Sequence, residues 1–440
     1  MGSLLGLVSS LAKVLHARLA FRLVILCSGM LLANDRCTVS AWLVAAGVHD
    51  DWDRFYDFLI SLGRITKRVA TILLIILVNK FSPTSNKRIF LALDDSPTKR
   101  YGKHVEACGV HHNPTPGAVG SKWLYGHNWV TLAWLETHPL WGVIALPLLS
   151  KLYVRACDVP ALDAKYDWKF RTKHELALEL VQWFMALCRG LGWKVSLWIV
   201  CDGAYAASPL LRALLGMGVT VVSRLRKDAA LFDLPGEEQK RRGPKRKYGH
   251  NKISLKKRAA SRGGWTTINY NCRGVEVTRQ YKTFLATTEL TGGVIRVVIL
   301  KYEDGSWAPY FCTDSNASVL EILTAIAARW AIEEHFHDVK EVWGAGQQQV
   351  RNVWSNIACW HLNQWMFTLV ELCAWNVPAE ELVDRSERAW DNPARRPSHA
   401  DRKRYFSREM LRGEINRVLH SPPNLLQFQR LAENLLSLCV

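Results

Sequence analysis

No Cys-x-x-Cys pair occurs among the 11 cysteines of this 440-residue chain, and the adjacent His111 and His112 lack a second ligand pair at finger-like spacing. Both absences argue against a structural zinc site. The scattered cysteines, among them Cys188, Cys201, Cys312 and Cys359, sit in apolar surroundings and read as small hydrophobes in a reduced cytosol. Long hydrophobic runs are missing too. Residues 71–78 are strongly apolar but stop at Asn79 and Lys80, short of the roughly 20 residues that span a bilayer. Lys13, His16, Arg18 and Arg22 interrupt the apolar N-terminal stretch, which therefore reads as buried helix rather than signal peptide. Acid is absent where charge is densest: residues 240–262 hold eleven Lys and Arg and no Asp or Glu.

What is present describes a globular enzyme-sized chain. Hydrophobic residues make up 49% and charged ones 22%, and the length exceeds what one core usually serves, so two or three domains are expected. Net charge is +18, of which eleven charges come from the basic run. So concentrated an excess calls for a polyanionic partner. The run lacks an amphipathic apolar face, which favours nucleic acid over a membrane surface.

Periodicity divides the chain into five stretches. Residues 1–82 are helical, with two short helices around Gly47 that have the outline of a helix-turn-helix, capped by Thr38 and by Asp50 or Asp51. Residues 83–226 alternate strands (89–93, 130–135, 142–149, 195–200, 219–223) with helices at 175–189 and 208–215, the last capped by Ser208. The pattern predicts an α/β fold with a mixed sheet and flanking helices. Residues 227–314 carry the basic run and further strands, as an inserted β-rich subdomain. A long helix resumes at about 318 within 315–376, and residues 377–440 read as a basic arm with a helical end.

The chemistry lies in three acidic positions. Asp94 and Asp202 each end an apolar run, and a carboxylate at a strand's C-terminal end points into the crevice where α/β sheets hold ligands. An Asp after a strand is also an ordinary turn residue or cap. On the helix from about 318, Arg329, Glu333 and Lys340 fall within roughly 60° of one another, on one face. Such a face is either a salt-bridged helix surface or a carboxylate presented between two phosphate-binding cations. Glu334 leaves that face.

The succession Asp94-Asp95-Ser96, Asp202-Gly203-Ala204-Tyr205 and Arg329-x3-Glu333-x6-Lys340 resembles the signature of insertion-sequence transposases of the DDE type. The resemblance runs from about residue 85 to 375 and implies an RNase H-like core interrupted by a β insertion before the final Glu. It implies that Asp94, Asp202 and Glu333 bind two Mg²⁺ or Mn²⁺ ions about 3.5–4 Å apart and are the catalytic residues. The first ligand is Asp94 or Asp95, and a Ser two positions later favours Asp94. Where the family often carries a Tyr, three residues before the Arg, this chain has Ile326.

The function so implied is cut-and-paste transposition: metal-dependent phosphodiester hydrolysis and strand transfer at element ends, by a homodimer assembled on DNA. Phosphate contacts are expected from Arg329, Lys340, Lys240, Arg241, Arg242, Lys245, Arg246, Lys247, Lys256, Lys257 and Arg258. Trp265, Tyr270 and Trp307 are candidates for stacking on an unpaired base. A cytoplasmic, nucleoid-associated location follows, with no small-molecule substrate. The alternatives are a catalytically dead DNA-binding descendant and a non-transposing nuclease on the same fold.

Overall fold

The computed structural model describes residues 4–34, 36–81, 88–113, 120–236, 246–385 and 390–420, with 429 and 432. Helices α1 (Leu4–Leu11), α2 (Ala17–Leu32), α3 (Val39–Ala45), α4 (Trp52–Arg64) and α5 (Thr66–Phe81) come first. The sheet follows: β1 (Arg88–Lys99), β2 (Gly109–His112), β3 (Trp123–His138), β4 (Gly142–Tyr153), helices α6 (Val159–Tyr166) and α7 (Lys173–Gly190), β5 (Ser196–Cys201), α8 (Ser208–Gly216) and β6 (Thr220–Arg224). Then come β7 (Leu231–Phe232), β8 (Lys252–Ile253), α9 (Leu255–Ala260), β9 (Thr266–Cys272), β10 (Val275–Thr288), β11 (Gly293–Lys301) and β12 (Trp307–Cys312). Helices α10 (Val319–Glu341), α11 (Val353–Ala374), α12 (Ala379–Leu382) and α13 (His399–Leu419) complete the order.

Strands β4, β3, β1, β5 and β6 lie side by side, with β1, β5 and β6 parallel and β3 antiparallel to β1 and β4. This is the expected RNase H-like mixed sheet with flanking helices. The sheet does not stop there. Strand β12 pairs antiparallel with β6, and β11, β10 and β9 follow, so the strands around the basic run continue the central sheet. Side chains alternate across it as the pleat requires. Leu197, Ile199 and Cys201 enter the larger core, which holds Leu176, Leu180 and Phe184 of α7. Trp198 and Val200 enter a second core with Val319, Ile322 and Leu323 of α10.

Helix α11 is buried on nearly every side, from Val353 to Ala374. The sequence predicts no element over this stretch. Its apolar residues give no one-sided stripe, the pattern of a helix enclosed by others. Helix α4 crosses it at Gly63, where an added Cβ would lie 1.9 Å from the Trp354 carbonyl oxygen. Gly63→Val is therefore expected to cost roughly 3 kcal/mol, the upper end of what overpacking costs, read as a lowered Tm.

Several local expectations are corrected. Thr38 caps α3, its hydroxyl accepting from the Ala41 N–H at 3.2 Å, but Asp51 at the start of α4 makes no capping bond and pairs with Arg54 at 3.2 Å. Ala207, not Ser208, holds the N-cap position of α8. Strand β1 runs on past the aspartates to Lys99, because each of its residues 90–99 pairs with β3. Residues 395–402, expected in an exposed arm, are drawn inward: His399, Asp401 and Arg402 are buried. Among the described residues no helix is long and apolar enough to cross a membrane. Cys188, Cys201, Cys312 and Cys359 are buried free thiols, each pushed up to about 12 by burial.

Candidate active site

Parallel pairing of β1 with β5 ends on Leu93 opposite Cys201. Asp94 and Asp202, the next residue on each strand, therefore stand abreast, about 4.8 Å apart along the hydrogen-bonding direction. The Asp202 side chain is exposed and makes no capping hydrogen bond. Its carbonyl oxygen accepts from the Tyr205 N–H at 2.9 Å and the Ser223 hydroxyl at 3.2 Å, which fixes a 3-10 turn over Gly203–Tyr205. The turn buries Tyr205 and brings its hydroxyl to Asp95 Oδ1 at 2.8 Å. The Asp-Gly-x-Tyr spacing thus ties the end of β5 to the neighbouring strand.

The two aspartates of β1 have different partners. Asp95 accepts from Tyr205 and from the Lys173 ammonium at 2.6 Å. Asp94 accepts from Arg329 of α10 at 3.1 Å, and the same guanidinium donates to Glu333 at 2.5 Å. Lys340, two turns further along α10, donates to Ser96 Oγ at 2.7 Å. Arg329, Glu333 and Lys340 share the face expected of them. They line a cleft of about 1910 Å³ together with Asp94, Asp202 and Tyr101. Glu334 lines it too, but pairs with Arg396 at 3.1 Å.

Charge in the cleft is only partly compensated. Burial raises the Asp94 carboxyl to about 7 against the pull of Arg329, and the neighbouring Asp95 and Asp202 push the same way. Burial works against the Arg329 charge, yet Asp94, Glu333 and Asp202 together raise its pKa above the ordinary arginine value. Burial lowers Lys340 to about 8. Three carboxylates thus converge electrostatically on one guanidinium.

The donor chemistry suits a hard divalent cation: carboxylate oxygens, with Asp202 exposed and Asp94 held in a position unfavourable to its own charge. In the observed rotamers, however, no group of three metal-ligating side chains among the described residues is close enough to hold an ion. Arg329 stands between Asp94 and Glu333, where a cation's charge would be needed.

Other expected contacts fall elsewhere. Lys240, Arg241, Arg242 and Lys245 lie outside the described residues. Arg246, Lys247, Lys256, Lys257 and Arg258 are exposed, although Arg258 stacks 3.9 Å over Phe284. The three candidate stacking rings are committed to the protein itself. Tyr270 is buried, Trp265 lies under Lys282 and Lys301, and Trp307 lies under Lys227. Ile326 packs into the second core beside residues of β9 and β10, so an apolar side chain suits that position. Lys173, which lies ahead of the helix expected at 175–189, and Arg396, whose partner lies far away in the chain, carry no local signal of these contacts.

A cryo-EM structure of the piggyBac transposase synaptic complex with hairpin DNA is similar at 12% identity and a TM-score of 0.39, over 78% of this chain and 57% of that one. This chain thus spans less than two thirds of the length of that protein. No curated protein matches. The family model for the DDE superfamily endonucleases matches residues 10–283, a span that contains Asp94 and Asp202 and ends ahead of α10. More than half of the chain lies within that match, and the chain belongs to the DDE superfamily endonucleases.

Proposed function

We infer that this protein is a transposase that cuts phosphodiester bonds at the ends of its own mobile element and joins them to new DNA, with Asp94, Asp202 and Glu333 as its catalytic acids. The observation that carries the reading is that Asp94 and Glu333 share Arg329 while Asp202 stands beside Asp94 at the end of an RNase H-like sheet. Their oxygens would hold Mg²⁺ or Mn²⁺. When bound, such a cation activates the attacking water or hydroxyl and stabilises the leaving oxygen.

The remaining tasks belong to the chain's own cations. Arg329 is bidentate toward two acids and is released to a phosphate once their charge is met otherwise. Lys340, oriented by Ser96, places a second donor on the same face of α10. Exposed Lys247, Lys256 and Lys257 neutralise phosphates farther away, so binding should weaken steeply with salt. The protein would act as a homodimer when two ends are paired.

The test is incubation of the protein with Mg²⁺ and a duplex taken from the DNA flanking its gene. Cleavage next to an inverted repeat, followed by joining to a target plasmid, supports transposition. Cleavage without joining favours a non-transposing nuclease, and binding without cleavage favours a catalytically dead relic.

The turn between β9 and β10 offers a finer check. Arg273, at φ +58°, lies 3.6 Å over the Trp330 ring, next to Arg329 on α10. The contact braces the catalytic helix from the side of the basic segment. Arg273→Ala is expected to lower stability by about 1 kcal/mol and cleavage several-fold, with duplex affinity unchanged in a gel-shift assay.

A further inference from the structure

An exposed ring lies on a rigid stem at the edge of the catalytic cleft. Tyr101 follows the end of β1 and is 82% exposed, yet it lines the same cleft as Asp94, Asp202 and Glu333. The residue before it is locked. Arg100 is buried, its backbone N–H donates to the Tyr125 carbonyl at 2.9 Å, and its guanidinium donates to the Gly346 and Gln348 carbonyls at 2.8 and 2.6 Å. Gly346 has φ +104° and packs against Lys99 and Thr98, so the segment after α10 clamps the stem from beneath. The Lys99 ammonium lies 4.9 Å over the ring. Lys103 and Arg351 stand exposed on the same two segments.

We propose that Tyr101 is a stacking platform for an unpaired base of DNA bound in the cleft, with Lys99 on a neighbouring phosphate. This rests on the transposase reading and extends it. A large apolar ring left in water on an immobilised backbone has its binding entropy already reduced, and any base offers a π-face to it. The cations around it match a polyanion. Its place is set by β1: at about 3.3 Å per residue, Tyr101 lies roughly 23 Å beyond Asp94. At about 3.4 Å per nucleotide the stacked base is about seven nucleotides from the scissile phosphate. Trp265 and Trp307 are half-buried and Tyr270 is buried, so none of them offers the open face that Tyr101 does.

The experiment uses the full chain with EDTA and duplexes carrying 5-iodouracil at successive positions, fully paired or within a three-nucleotide bubble. Irradiation is expected to crosslink residue 101 to a bubble base about seven nucleotides from the cut. Tyr101→Ala should lose that crosslink and bind the bubble duplex about tenfold more weakly, with paired-duplex affinity changed less than twofold. Tyr101→Phe should behave as wild type, because the ring and not the hydroxyl does the stacking. Wild-type affinity of the Ala variant for the bubble duplex, or crosslinks that map to other residues, would overturn the proposal alone. Failure of the wild-type protein to bind either duplex would overturn the transposase reading as well.

Discussion

Asp202→Asn is expected to abolish cleavage, by at least about 10³-fold, while the protein folds and binds DNA normally. Loss of one group that acts on the reacting phosphate is felt on that scale. The substitution removes charge and keeps shape. Because the side chain is exposed and makes no capping hydrogen bond, its loss leaves Tm unchanged. Removing a negative charge from the path of DNA should strengthen duplex binding slightly. Asp95→Asn provides the contrast. It weakens the contacts to Lys173 and Tyr205, so Tm should fall, yet cleavage should stay within about tenfold of wild type. Cleavage by the Asp202 variant above a tenth of the wild-type rate would remove Asp202 from the catalytic set.

Glu371→Ala should produce the largest loss of stability, roughly 3–5 kcal/mol. Glu371 is fully buried on α11. It accepts from His399 at 2.6 Å, and Arg402 Nη1 donates to both of its oxygens, at 2.7 and 2.8 Å, all from α13. His399 in turn accepts from the Trp343 indole at 2.7 Å, and Arg402 lies 4.1 Å over Trp141. Deleting the carboxylate strands a guanidinium in the interior. Burial alone would raise the Glu371 pKa, but Arg402 and His399 hold it at about 2 against an ordinary 4.5. Its contribution is therefore complete above about pH 4.5 and fades as pH falls toward 2. Chemical unfolding at pH 7 and pH 3 measures both statements. A loss under 1 kcal/mol at neutral pH would show that α13 is held by other contacts.

The placement of the three acidic residues was the most legible part of the sequence, for physical reasons. Apolar runs ending at Asp94 and Asp202 marked neighbouring buried strands, and the four- and seven-residue spacings of Arg329, Glu333 and Lys340 transmit directly through helical geometry. Less local features were hidden. The expected strand stops at residue 93, although pairing with β3 carries β1 on to Lys99. Strand β2 carries His111 and His112 where β-prone residues would announce a strand. Helix α11 has no solvent face to produce a periodic stripe. The inward path of residues 395–402 depends on Glu371, Glu334 and Trp141, whose proximity only the tertiary fold creates.

The seating of α4 on α11 has a consequence for how the chain is made. The first helices leave the ribosome long before the helix they close upon, and until it arrives the face of α4 that packs on α11 stays open. Contacts so distant in sequence form late and slowly. Half-synthesised chains therefore expose sticky apolar surface and depend on chaperones or low temperature to escape aggregation. Expression of a fragment that ends before residue 353 should yield insoluble protein, however complete its sheet.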